Sequence, residues 1–299
     1  MKIRFELLAI ILITSVTSGL AQAQNLFVAN YGSTNIVEIT PDGVQSTFVS
    51  GVSFPSALAF DASGNLFVAN EQSSVIYEFT PDGAKTTIGF GLQLPVGLAV
   101  DSAGNLFVAN GTPGRIDKIM PNGRKIPFAS GLSLPSGLAF DSAGNLFVAN
   151  SGTGVITEIT PDGVQSTFVS GLSPHMPGLG FDSAGDLFVA SGHSVIEITP
   201  AHVQSVVATW AQLYPYDVAF DNLGNMYVSI QPGPGSGPSQ SYIAKITPDG
   251  VQSTFASGLS YAWGLAFQPV PEPQTWTIFG MAFLALFRFR LSKNKESVP

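Results

Sequence analysis

Zero cysteines rule out a thiol nucleophile, disulfides and thiolate metal sites, so acid–base or metal chemistry in this chain falls to carboxylates, amides and three histidines. The carboxylates come in series. Asp61, Asp101, Asp141, Asp182 and Asp221 share one sequence context, Asp42, Asp82, Asp162 and Asp249 a second, and Glu38, Glu78, Glu158 and Glu197 a third. A residue that recurs in one context throughout a chain suits a turn or a solvated strand better than a single reaction centre. Four asparagines, Asn30, Asn70, Asn110 and Asn150, close identical NLFVAN segments. Their amides either line a ligand opening and hold a water or a sugar hydroxyl, or cap a strand and close the next turn. Glu71 is the one glutamate adjoining these segments, and a single carboxylate does not make a cation site. His175 and His193 are placed to approach each other but lack a third ligand, and His202 falls in a turn. No metal site is expected from these residues.

The elements that must position them follow from self-similarity. NLFVAN starts at residues 25, 65, 105 and 145, with DLFVAS at 186 and NMYVSI at 225, a period of about 40. A Pro-Asp-Gly element or a relative begins at Pro41, Pro81, Pro121, Pro161, Pro200 and Pro248. A third element, typified by SGLAFD, places Ala57, Gly97, Gly137, Gly178, Asp217 and Gly264 in register. Within one unit the runs 137–140, 146–149, 155–160 and 165–169 read as strands a to d. Asp and Gly in the a-to-b and c-to-d links supply turn chemistry. Four short antiparallel strands repeated six times predict an all-β, six-bladed β-propeller. The first unit starts at strand b and the last ends on a lone strand a, 264–267, so the C-terminal strand is expected to pair with the N-terminal blade and close the ring. Chain direction puts the b-to-c and d-to-a loops on one face. Trp210, Tyr214, Tyr216, Tyr261 and Trp263 depart from the repeat there, beside a lengthened b-to-c link, 231–241. Of these, Tyr214, Tyr216, Tyr261 and Trp263 join the four asparagines as candidate ligand-binding residues.

Charged residues are 11% of the 299, while Gly (32) and Pro (21) are abundant. Six of the twelve basic residues sit in the terminal segments with three of the twenty acidic ones, leaving 6 basic and 17 acidic between them. That middle would repel phosphate backbones, so no nucleic-acid partner is expected. Residues 1–23 combine Lys2 and Arg4, an apolar stretch and Ala21-Gln22-Ala23, the pattern of a signal peptide cut after Ala23. At the other end Val270-Pro271-Glu272-Pro273, an apolar run 276–287 and the basic residues Arg288, Arg290, Lys293 and Lys295 follow in order. The apolar run is too short for a stable bilayer span of about 30 Å.

That three-part tail, 270–299, resembles the PEP-CTERM sorting signal. The resemblance implies signal peptidase and an exosortase-type protease as processing partners, transient membrane insertion through the tail, and export to the surface or matrix of a Gram-negative bacterium. Between the ends, 24–269, the GLAFDSAGNLFVAN and ITPDG elements resemble NHL-type propellers and the wider group of gluconolactonase-like and streptogramin-lyase-like proteins. The motifs specify fold strongly and activity weakly. The favoured expectation is a non-catalytic surface propeller that binds exopolysaccharide or a matrix protein and needs no cofactor. The alternative is a lactonase or lyase, for which the resemblance implies a divalent cation.

Overall fold

A computed structural model describes residues 23–233 and 241–270. The leader through Gln22, with Ala21, most of the lengthened link, and the tail with Pro271, Glu272 and Pro273 lie outside the described residues. Within them no helix is long and apolar enough to cross a membrane.

Strand formation follows the apolar segments. Leu26–Asn30, Leu66–Asn70, Leu106–Asn110, Leu146–Asn150 and Leu187–Ser191 are strands buried at every position. Both faces are covered, which explains why these segments do not alternate. Each is strand b of a separate four-stranded antiparallel sheet, and the chain forms six such sheets. Their innermost strands touch in cyclic order around one axis, giving a six-bladed β-propeller. Blade 1 is completed by the C-terminal strand, Ala262–Phe267, which pairs antiparallel with Leu26–Asn30 through Leu26↔Phe267 and Val28↔Leu265. The one-plus-three closure expected from the repeat register is present.

Neighbouring sheets are joined by aromatic edges. Phe147 of blade 4 meets Phe168 of its own sheet and Phe181 of blade 5, each T-shaped at 4.9 Å between ring centroids. Phe27, Phe107 and Tyr227 repeat the arrangement, with Tyr227 packing on Phe267 across the closure. The recurring aspartates are turn residues. Asp141 Oδ1 accepts the backbone N–H groups of Ala143 (2.9 Å) and Asn145 (2.8 Å), and its counterparts in four other blades do the same. In the c-to-d turns, threonine hydroxyls donate to Asp42, Asp82, Asp162 and Asp249.

Blades meet at the axis through nearly bare backbone. A Cβ at Gly97 would lie 1.7 Å from the carbonyl oxygen of Ser136 on the next blade. Small residues at this register are thus a requirement of the close approach, and Asp217 is the exception among them.

Candidate active site at the channel mouth

The axial channel opens on the b-to-c and d-to-a face as a cavity of about 390 Å³. Two repeat positions build most of its wall. The residue before the small axial position contributes Ser56, Val96, Ser136, Pro177, Tyr216 and Trp263, and the residue after strand b contributes Glu71, Gly111 and Ser151. His175 enters from the link into blade 5, and Leu94 and Leu134 supply apolar wall.

An aromatic belt edges this opening over blades 6, 1 and 2. Trp263 is stacked between Tyr31 (3.7 Å between centroids, 14° between planes) and Tyr216 (4.9 Å, 22°). Phe54 packs on the far side of Tyr31 at 4.9 Å. From the other end, the His175 ring meets Tyr216 edge-on at 5.5 Å, and Tyr214 stands between His175 and His193.

The ionisable groups here are tuned by their surroundings. Burial, followed by the charge of the Glu71 carboxylate, pushes the Tyr216 hydroxyl up to about 12. Burial, the Glu71 charge and a hydrogen bond to that carboxylate hold Tyr31 at about 12 as well. Both phenols stay protonated, and so act as donors, at any physiological pH. Burial and then the nearby His193 lower the His175 imidazole below its ordinary 6.5, leaving it a neutral base at pH 7. His193 Nδ1–H donates to the Leu213 carbonyl (2.7 Å). Asp217 is half-buried at the axis, where desolvation raises its carboxyl to about 7 despite two backbone donors, Leu265 N–H at 2.8 Å and Val218 N–H at 2.9 Å. Its side chain has room because Gly178 has none: a Cβ there would lie 2.2 Å from Asp217 Oδ1. One oxygen of Glu71, Oε2, is buried without a hydrogen-bond partner among the described residues.

The structure separates the residues singled out in the sequence. Tyr216 and Trp263 line the mouth, and Tyr214 backs it through the histidines. Tyr261 sits outside the wall, partly exposed with φ 50°, and Trp210 is buried in the core between blades 5 and 6. The asparagines do not line the cavity. Asn110 is fully buried, accepting Gln93 N–H (2.9 Å) and donating to Asp117 (3.2 Å). Asn150 accepts Ser133 N–H (3.0 Å) and donates to Thr157 (2.9 Å). Asn30 accepts Ser260 N–H (2.6 Å), and Asn70 accepts Ser73 N–H (3.1 Å). Asn30, Asn110 and Asn150 thus hold a d-to-a link against the end of strand b, and Asn70 closes its own b-to-c turn. His202 lies at a separate cavity on the opposite face. Sequence reasoning missed Tyr31 and the chemistry of Asp217, although both positions were legible as departures, one beside Glu71 in the repeat and one within the glycine register.

No family model matches the chain, and no curated protein does. Solved structures do. A streptogramin B lyase aligns at 15% identity and TM-score 0.63 over 82% of this chain and 86% of its own. An inactive virginiamycin B lyase from Staphylococcus aureus, solved with quinupristin, aligns at 14% and 0.61 over 83% and 94%. A gluconolactonase from Xanthomonas campestris aligns at 17% and 0.62 over 70% and 80%. At such identities the likeness establishes the fold. It also corrects the expectation of a non-catalytic scaffold: the matched propellers are described as enzymes, and the mouth of this one holds a neutral imidazole beside protonated phenols. Among the described residues no three His, Asp or Glu side chains come together as a cation would require. Glu71, Asp217 and His175 line the mouth without forming such a group, a donor set that does not fit a protein-held divalent cation.

Proposed function

We propose that this chain is an enzyme of the lactonase or lyase type that opens the ester bond of a small molecule at the channel mouth. The observation that carries the reading is that His175 faces the same apolar-walled cavity as Tyr216, with the imidazole held below its ordinary range and the phenol above its own by their surroundings. His175 accepts a proton, either from water attacking the carbonyl carbon or from the substrate carbon next to the leaving oxygen. The Tyr216 hydroxyl donates a hydrogen bond to the oxygen on which charge develops. The imidazolium so formed then returns its proton to the leaving oxygen.

The leader 1–23 and the tail 270–299, with its Pro271-Glu272-Pro273 motif, support an enzyme that acts outside the inner membrane after signal peptidase and exosortase-type processing. Intact mass of protein recovered from cells reads both cuts, and an uncut chain argues against them. The activity is tested by incubating purified mature protein with a panel of uncharged lactones and cyclic esters and following ring opening by mass spectrometry. Turnover of at least one class is expected. A panel left intact, by protein whose circular dichroism shows a folded β-sheet, overturns the reading.

A further inference from the structure

Glu71 stands where blades 1, 3, 4 and 5 carry Tyr31, Gly111, Ser151 and Gly192, at the first residue after strand b, and it reaches the cavity wall. Its backbone is fixed by Glu71 N–H donating to the Phe54 carbonyl at 3.3 Å. Its Oε2 is buried with no donor to accept from, although Tyr31 serves the same carboxylate. A carboxylate oxygen removed from water and left unpaired is costly unless a donor or an opposite charge reaches it.

Among the described residues no lysine or arginine lines the mouth. Among the described residues, Arg115 is paired with Asp117 at 3.1 Å, Lys118 reaches Asp101 at 3.5 Å, Lys85 lies over the Tyr77 ring and Lys125 donates to the carbonyls of Phe90 and Gly91. The other carboxylate of the cavity, Asp217, adds no positive charge, and His175 is neutral. Among the described residues the groups at the opening are therefore negative or neutral, and a cationic ligand group is the complement to Glu71 that they do not supply.

We propose that Glu71 is a specificity-determining anchor that selects a substrate carrying a cationic amine, whose N–H groups pair with the Glu71 carboxylate while its apolar body lies against Leu94, Val96, Leu134 and Pro177. Anionic molecules are rejected by the same charge. An ester opened to a carboxylate product would be repelled from the mouth, which favours release. This inference rests on the mouth being the ligand site, and not on the reaction assigned to His175.

Three probes with one aromatic body and different heads test it: phenethylamine, 2-phenylethanol and 3-phenylpropanoate, titrated against the full mature protein by ligand-observed NMR. Phenethylamine should bind at least about tenfold more tightly than 2-phenylethanol, and 3-phenylpropanoate should not bind. Glu71→Gln should bring the amine and the alcohol within about twofold without weakening the alcohol, and Glu71→Asp, which keeps the charge, should retain a preference for the amine. Equal affinity for all three heads in the wild type overturns the proposal. So does a Glu71→Gln protein that still prefers the amine. Should Glu71→Gln fail to fold, Glu71→Asp decides: loss of the amine preference in that folded variant with alcohol binding retained counts against the anchor. An amine preference without ester turnover sinks the proposed reaction alone, whereas turnover of neutral esters without an amine preference sinks this inference alone.

Discussion

Asp217 occupies the one axial position at which the other blades carry glycine or alanine, and it pins blade 6 to the C-terminal strand through Leu265 N–H. Its carboxyl is raised from 3.8 in the open chain to about 7 in the fold by burial, so the folded protein binds that proton more tightly than the unfolded one. Stability linked to this group is fully present below about pH 4, falls as pH rises toward 7, and is level above it. The loss is on the order of 4 kcal/mol. Melting temperature should drop between pH 5 and 8 in the wild type, and Asp217→Asn should flatten that slope; parallel slopes for the two proteins would argue against an ionisable Asp217. At this scale the sequence was legible where it repeated. The series of Asp61, Asp101 and Asp141 declared turn residues because catalysis needs no five copies. The roles of Asn110 and Asn150 were ambiguous because an amide at a strand end serves a ligand and a turn equally well, and the bonds from Gln93 and Ser133 N–H depend on a neighbouring link that the sequence does not place. Tyr31 was visible as a departure from the repeat, but the stacking of its ring on Trp263, over two hundred residues away, is a matter of side-chain placement that the strand pairing alone does not give.

The strands themselves could be read almost to the residue, since apolar runs bounded by Asp, Gly and Pro leave little choice of period. Strand a of blade 4 extends further than expected, to Pro135–Phe140, because its register shifts between Pro135 and Leu138 and lets the chain continue pairing with Asn150. The C-terminal strand tests the importance of single elements. It fills blade 1 with Leu265 and Ala262 in a core shared with Tyr227 and Ile243 of blade 6. Deleting residues 261–267 should therefore lower the melting temperature strongly or prevent folding, since it uncovers two sheets at once. Deleting residues 271–299 should leave it unchanged. Equal melting temperatures for the two truncations, read by calorimetry, would contradict the closure.

Across the whole molecule, repetition and its failures divide the labour. The regular turns, the interblade phenylalanines and the axial glycines hold a rigid ring, and the irregular residues Tyr31, Glu71, His175, Tyr216 and Trp263 collect at one mouth. Fold was legible from period alone. The site was legible only in part, because its members come from blades 1, 2, 5 and 6, and their convergence is a property of ring closure. The central claim, that this mouth performs general-base chemistry through His175, is most directly tested by the pH dependence of kcat/KM on an ester that the mature wild type opens, measured beside His175→Ala. The account predicts a rate that climbs to a plateau by pH 7 with a midpoint below 6.5, since His175 must be neutral to accept a proton, and a variant slower by about 10²- to 10⁴-fold that lacks this limb. A His175→Ala protein with wild-type rate and an unchanged profile would contradict it.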